Sequence, residues 1–147
     1  MRPARRSVVL ITLLLSSCVT IPKWVKGPLS YEERGYIYTV GYCAPTHDRK
    51  DAETYAKDNA ALELAKVLKI KVKQTVIDHT EKIGKTGRSE EHFVITTEQM
   101  VDNIITNAEP VSVWYDEKGK KGEKGSAFAL YRIKKSLVNE TTTKEVK

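Results

Sequence analysis

Few side chains in this chain are able to do chemistry: three histidines, His47, His79 and His92, and two cysteines, Cys18 and Cys43. His47 stands beside Asp48 at the start of a helix-like segment, where polar capping residues are expected. Asp78–His79 closes one strand-like run and His92 opens the next. The two imidazoles could therefore meet across a hairpin and, with Asp78 or Glu91, ligate a divalent cation. Exposed hairpin residues usually carry no ligand, and no metal is expected. Nucleophile and cofactor signatures are missing, with no G-x-S-x-G, H-E-x-x-H, paired cysteines or phosphate loop. The glycines of DEKGKKGEKGS, residues 116–126, are not followed by a helical pattern, so they predict a flexible turn rather than an anion cradle. The expectation is a non-enzyme with no catalytic residue, cofactor or metal.

Cys18 stands apart because of what precedes it. Arg2, Arg5 and Arg6 give a positive start, Val8 to Leu15 form an apolar run, and the small pair Ser16–Ser17 follows. That layout predicts a secretory signal over residues 1–17. A membrane-spanning helix needs about 20 apolar residues, and this run is far shorter. No A-x-A-like cleavage site is present. Instead, Leu15-Ser16-Ser17-Cys18 resembles the lipobox of bacterial lipoproteins. The resemblance implies a diacylglycerol (palmitate-type chains) on the Cys18 thiol, cleavage just before it, and acylation of the new amino group. Each buried CH₂ contributes about 0.8 kcal/mol, so several chains anchor a protein in membrane lipid far more durably than one. Val19, rather than Asp, follows the cysteine, and by the same resemblance this favours the outer membrane with the domain facing the periplasm. The alternative is a lone cysteine after an uncleaved or conventionally cleaved signal.

Without the three signal arginines, 22 of the 25 basic residues remain against 19 acidic ones, a net charge near +3 instead of +6. No basic stripe with interleaved aromatics occurs, so nucleic acid is not an expected partner. The stretch 18–147 is enough for one domain with a modest core. With Cys18 acylated, Cys43 has no disulfide partner and is expected as a buried small hydrophobe.

VTIPKWVKGPLS, residues 19–30, has two prolines, a glycine and no periodicity, so 18–30 is expected as a lipidated tether. Tyr36 to Tyr42, rich in aromatic and β-branched residues, predicts a strand. Beyond APTHD, Ala52, Ala56, Ala60, Leu64, Val67 and Leu68 recur at helical spacing, with Asp48 or Asp51 available as a cap. Near Lys69 the period shifts to two: Ile70, Val72 and Val76 alternate with Lys71, Lys73 and Thr75, which predicts a strand. GKTGRSEE then predicts a turn into a hairpin partner, HFVITTEQM. PVSVWYD and SAFALYRIK predict two further strands, and 136–147 a flexible tail. The expected fold is α+β, with one long helix packed on a mostly antiparallel sheet of four to five strands over residues 31–135.

The segment YIYTVGYCAPTHDRKDAETYAKDNAALELAKVL resembles the opening of the twenty-kilodalton bacterial lipoprotein (LPP-twenty) family. In that family a strand ending in V-G leads to a helix with an alanine at every fourth position. Val40–Gly41, Ala52, Ala56, Ala60 and Glu63-Leu64-Ala65 occupy those places, and VSVWYDEKG…FALYRIK resembles the family's closing hairpin. Asn59 and Ala61 flank the third alanine, where a basic residue is frequent in the family. The resemblance implies an outer-membrane lipoprotein; some relatives build rings around flagellar motors and others are surface antigens. Two functional expectations follow. The first is a non-catalytic structural or assembly role in the envelope, flagellum-associated or not, through self-association or envelope proteins. The alternative is a binding or adhesion module for peptidoglycan, a partner protein or a host surface.

Overall fold

The computed structural model of the protein describes the backbone of residues 20–83 and 90–145, with side chains from 20 to 78 and from 97 to 143. The elements in chain order are α1 (Lys23–Lys26), β1 (Ser30–Glu33), β2 (Tyr36–Cys43), α2 (Arg49–Ile83), α3 (Glu90–Ile105), β3 (Glu109–Asp116), β4 (Ser126–Lys134) and α4 (Lys135–Glu145). The fold is α+β. Its sheet has four strands in the order β1-β2-β4-β3, every neighbouring pair antiparallel. Arg34 and Gly35, with φ of 49° and 81°, make the two-residue turn between β1 and β2, a backbone twist that matches the twist of the paired strands.

Alternation along the strands gives the sheet two faces. On one, Ile37, Thr39, Gly41, Ala127, Ala129 and Ile133 meet α2. Ala52, Ala56 and Ala60 are fully buried there. A Cβ on Gly41 would lie 2.2 Å from both the Ala56 carbonyl oxygen and the Ala60 nitrogen, so the strand and helix backbones touch directly. Two side chains stitch this contact: Thr39 Oγ1 donates to the Ala60 carbonyl at 2.9 Å, and Asn59 Nδ2 donates to the Tyr42 carbonyl at 2.8 Å. Asp48 Oδ1 accepts the Lys50 N–H at 3.0 Å and caps the start of the helix.

The buried row on α2 continues as Leu64, Leu68, Val72 and Val76, still one residue in four. Four residues turn a helix through about 400°, so the row advances by about 40° at each step and winds around the helix. Its alanine half faces the sheet, and its aliphatic half packs with Met100, Val101 and Ile104 of α3, Val138 of α4, and Ile37 and Ile133 at the end of the sheet.

Four sequence expectations are overturned. Residues 69–77 are not a strand but the continuation of α2, because Val72 and Val76 extend the one-in-four row while Ile70 and Ile77 face solvent. HFVITTEQM belongs to α3, where Thr97, Met100, Val101 and Ile104 supply a buried helical face. The segment from Ser136 is not loose, since α4 buries Val138 and Thr142, and the Thr142 hydroxyl donates to the Val138 carbonyl at 2.7 Å. Residues 21–30 are not a free tether either, because Val25 is buried and the Leu29 carbonyl accepts the Val40 N–H at 2.8 Å. The expected turn at 84–89, the signal segment 1–17 and Cys18 lie outside the described residues.

Candidate functional site

Opposite α2, the second face of the sheet is aromatic. Val40, Trp114, Phe128 and Leu130 are buried with Val25, and Ile21, Trp24, Tyr31 and Tyr38 pack around them. Tyr31 stacks on Tyr38 with ring centroids 4.9 Å apart, and the rings of Tyr42 and Trp114 lie 5.1 and 5.6 Å from that of Phe128. The N-terminal segment therefore covers this face from Ile21 onward. Only Val19 and Thr20 lie between Cys18 and Ile21 in the chain. Trp114 Nε1 is buried without a hydrogen-bond partner, alone in this among the described side chains.

The loop between β3 and β4 is built around Asp116, which is 1 % exposed. Its carboxylate accepts the backbone N–H groups of Lys120 and Lys121 at 2.7 Å and of Gly122 at 2.9 Å, while its carbonyl accepts Gly125 N–H at 2.8 Å. Burial pushes the Asp116 carboxyl up, but the converging N–H donors outweigh it and hold the group below the ordinary aspartate range. Gly119 and Gly125 take φ of 67° and 93°, backbone that other residues rarely adopt. This corrects the expectation of a flexible turn. The loop is an anion cradle whose anion is the chain's own carboxylate. Its N–H groups are occupied, and what it offers outward is four exposed lysines, Lys118, Lys120, Lys121 and Lys124, beside Glu117 and Glu123.

Among the described side chains the remaining candidates do not converge. His47 is exposed between β2 and α2. His79 lies in α2 and His92 in α3, so no strand hairpin joins them; their side chains are outside the described set, as is that of Glu91. Asp78 is exposed on α2. Among the described residues no group of three or more His, Cys, Asp or Glu is placed to hold a metal. Cys43 is half-buried against the alanine layer, its thiol 3.2 Å from the Ala44 carbonyl and pushed up in pKa by burial, which keeps it protonated. At the far end of the sheet a groove of about 250 Å³ is lined by Tyr36, Glu109, Lys134 and Glu140 among others. Its acid Glu109 is occupied by Arg132 at 3.0 Å, and Arg132 in turn lies over the Tyr36 ring at 4.6 Å. β3 carries a bulge between Pro110 and Ser112, which leaves Val111 without a partner on β4 while the rest of the strand stays paired. No described helix is long and apolar enough to cross a membrane.

Two features of this region, one residue and one segment, escaped the sequence reading. Asp116 was visible only as the acidic residue opening a loop with glycines at positions 119, 122 and 125, a spacing that could have indicated a carboxylate-centred turn. Ile21–Val25 has an apolar residue on either side of a proline–lysine pair, too short a signal to distinguish packing from a linker. Comparison with protein-family models, curated proteins and solved structures finds no match to this chain.

Proposed function

We propose that the protein is a lipoprotein anchored through acylated Cys18 to the outer membrane, facing the periplasm, with a non-catalytic structural or assembly role in the cell envelope. The observation that carries this reading is the run Arg2 to Cys18: a charged start, a short apolar stretch, and a cysteine at the lipobox position. Two features support it further. Ile21, three residues after that cysteine, already packs against the domain, which keeps the domain close to the anchor. Its ordered polar groups, Asp116, Thr39 and Asn59, are all engaged in holding the fold. Anchoring also confines copies to one surface, where weak lateral contacts are strengthened by local concentration.

Two experiments test the two halves of the proposal. Cys18→Ala should abolish incorporation of labelled palmitate and leave a full-length precursor; a mature, lipid-labelled product from that variant would refute the anchor. Cross-linking in intact envelopes should give oligomers that are lost when charges are placed at the exposed Val111 and Ser112 on β3. Monomer alone from both proteins would remove the assembly role and leave the binding or adhesion module as the better account.

A further inference from the structure

The lysine-rich loop between β3 and β4 stands at the end of the sheet, beside the face covered by Ile21–Val25. Gly122 lies against the Tyr42 ring, to which a Cβ on it would approach within 3.5 Å. Tyr42 contacts Phe128, and Phe128 belongs with Val25 to the buried cluster against which Ile21 and Trp24 pack. The loop is thus linked to the N-terminal segment through Tyr42 and Phe128, while its Gly125 also lies against Tyr115 and Pro45, near the start of α2, and the body of α2 packs on the opposite face of the sheet. Lys23 and Lys26 of α1 and the four loop lysines are all exposed. The loop's acids are Glu117, Glu123 and Asp116, and the last is turned inward onto backbone N–H groups.

Chain length limits how far this face can stand from an anchor. From Cys18 to Ile21 there are three residue steps, about 11 Å when fully extended. That is close to the distance of about 8 Å over which exposed charges act at physiological salt. A cysteine held at the headgroup level therefore brings the α1 side of the domain to the membrane surface.

We propose that this face docks on a layer of anionic phospholipid headgroups, with the α1 and loop lysines as its electrostatic contacts and half-buried Trp24 at the interface. The inference rests on acylation of Cys18. The Asp116 cradle prepares the contact by fixing the loop before it meets lipid, so no ordering of that segment is needed on docking. Anchor and docked face together set the domain's orientation, with α2 directed away from the bilayer.

The test uses the full acylated protein inserted into preformed phosphatidylcholine vesicles, with or without phosphatidylglycerol. A bilayer-impermeant amine reagent should modify Lys118, Lys120, Lys121 and Lys124 about threefold or more slowly when phosphatidylglycerol is present, and salt should remove the protection. Lys66 and Lys73 on α2 should react equally in both. A variant with the four loop lysines changed to Gln keeps the backbone N–H donors to Asp116 and should fold. It should still float with vesicles but lose the added tryptophan quenching that brominated phosphatidylglycerol gives in the parent. Flotation reads the anchor separately. Protein that does not float removes the acylation reading and this one with it. Floating protein whose loop lysines react alike in both vesicle types, or whose α2 lysines are protected equally, overturns the docking alone.

Discussion

Along α2 the first half presents Ala52, Ala56 and Ala60 to the sheet, and the second presents Leu64, Leu68, Val72 and Val76 to α3, α4 and the sheet's end. All seven positions are 3 % exposed or less, so burial alone does not distinguish them. Their means of attachment differ. The alanine half contributes little apolar area and holds by close approach, with the Gly41 backbone against the helix and two side-chain hydrogen bonds across the contact. The aliphatic half stands further off and holds by area, each buried Leu or Val contributing on the order of 1.5–3 kcal/mol. A close contact cannot admit atoms, whereas a bulky one cannot lose them.

That contrast can be broken from either side. Gly41→Ala should be the most damaging change, because the new methyl meets backbone atoms that move only if the whole helix lifts. A loss of about 3 kcal/mol or more is expected in a denaturant melt. A neutral result would mean that helix and strand do not touch at this point. Leu68→Ala removes bulk where bulk holds the contact and should cost about 2–4 kcal/mol through lost transfer energy and the cavity left behind. The reciprocal change, Ala60→Leu, should cost about 1–3 kcal/mol by overpacking and also strain the Thr39 hydrogen bond. If Leu68→Ala proves harmless while Ala60→Leu is not, the aliphatic half is loosely packed and the comparison fails.

A smaller effect sharpens the same comparison by pH. Glu32 of β1 pairs with Lys71, in the aliphatic half of α2, and with Lys135 at the start of α4. The hydrogen bonds from Lys135 and Lys71 lower its pKa from 4.5 to about 2. A lowered folded-state pKa stabilises the fold above the unfolded value and loses that contribution as pH falls. The difference in stability between the parent and Glu32→Gln should therefore be present at neutral pH and disappear between pH 4.5 and about 2. The carboxylate is about a third exposed, so solvent screening keeps the effect below about 1 kcal/mol. A difference unchanged at pH 2 would show that the ion pairs contribute nothing.

The same two halves differ in how well the sequence announces them. The alanine row, the strands β2, β3 and β4, and the Asp48 cap were legible because small residues at one-in-four spacing and aromatic runs admit few alternatives. From Lys69 onward, Ile70, Val72 and Val76 alternate with lysines, and a two-residue period fits as well as a helical one. Tertiary packing decides: α3 offers Met100, Val101 and Ile104 to the row of Val72 and Val76, leaving Ile70 67 % exposed. One local signal favoured the helix, since no Gly or Pro interrupts Arg49 to Ile83. In α3, the spacing of Thr97, Met100, Val101 and Ile104 was helical but hidden behind the β-branched run Val94 to Thr97. α4 is masked in sequence by three consecutive threonines, poor helix formers that are held by the burial of Val138 and Thr142. At the candidate site, the strands that carry Tyr38, Tyr42, Trp114 and Phe128 were legible from their aromatic and β-branched runs. The inward Asp116 and the packed Ile21–Val25 were not, because both depend on partners far away in the chain.

The winding row on α2 also makes that helix a phase coupler between the sheet and the α3–α4 layer. The alanine half is locked in rotation by Gly41, so any change in residue number between Ala60 and Leu64 is transmitted to the far half as a turn. One added residue would swing Leu68, Val72 and Val76 through about 100°, aiming them at solvent and putting Ile70 where Lys71 now faces Glu32 of β1. Four added residues would restore the phase to within about 40° while displacing the far half by about 6 Å along the axis. The helix can thus vary in length beyond Val76 without consequence for the sheet, but between its two halves it tolerates change only in near-whole turns.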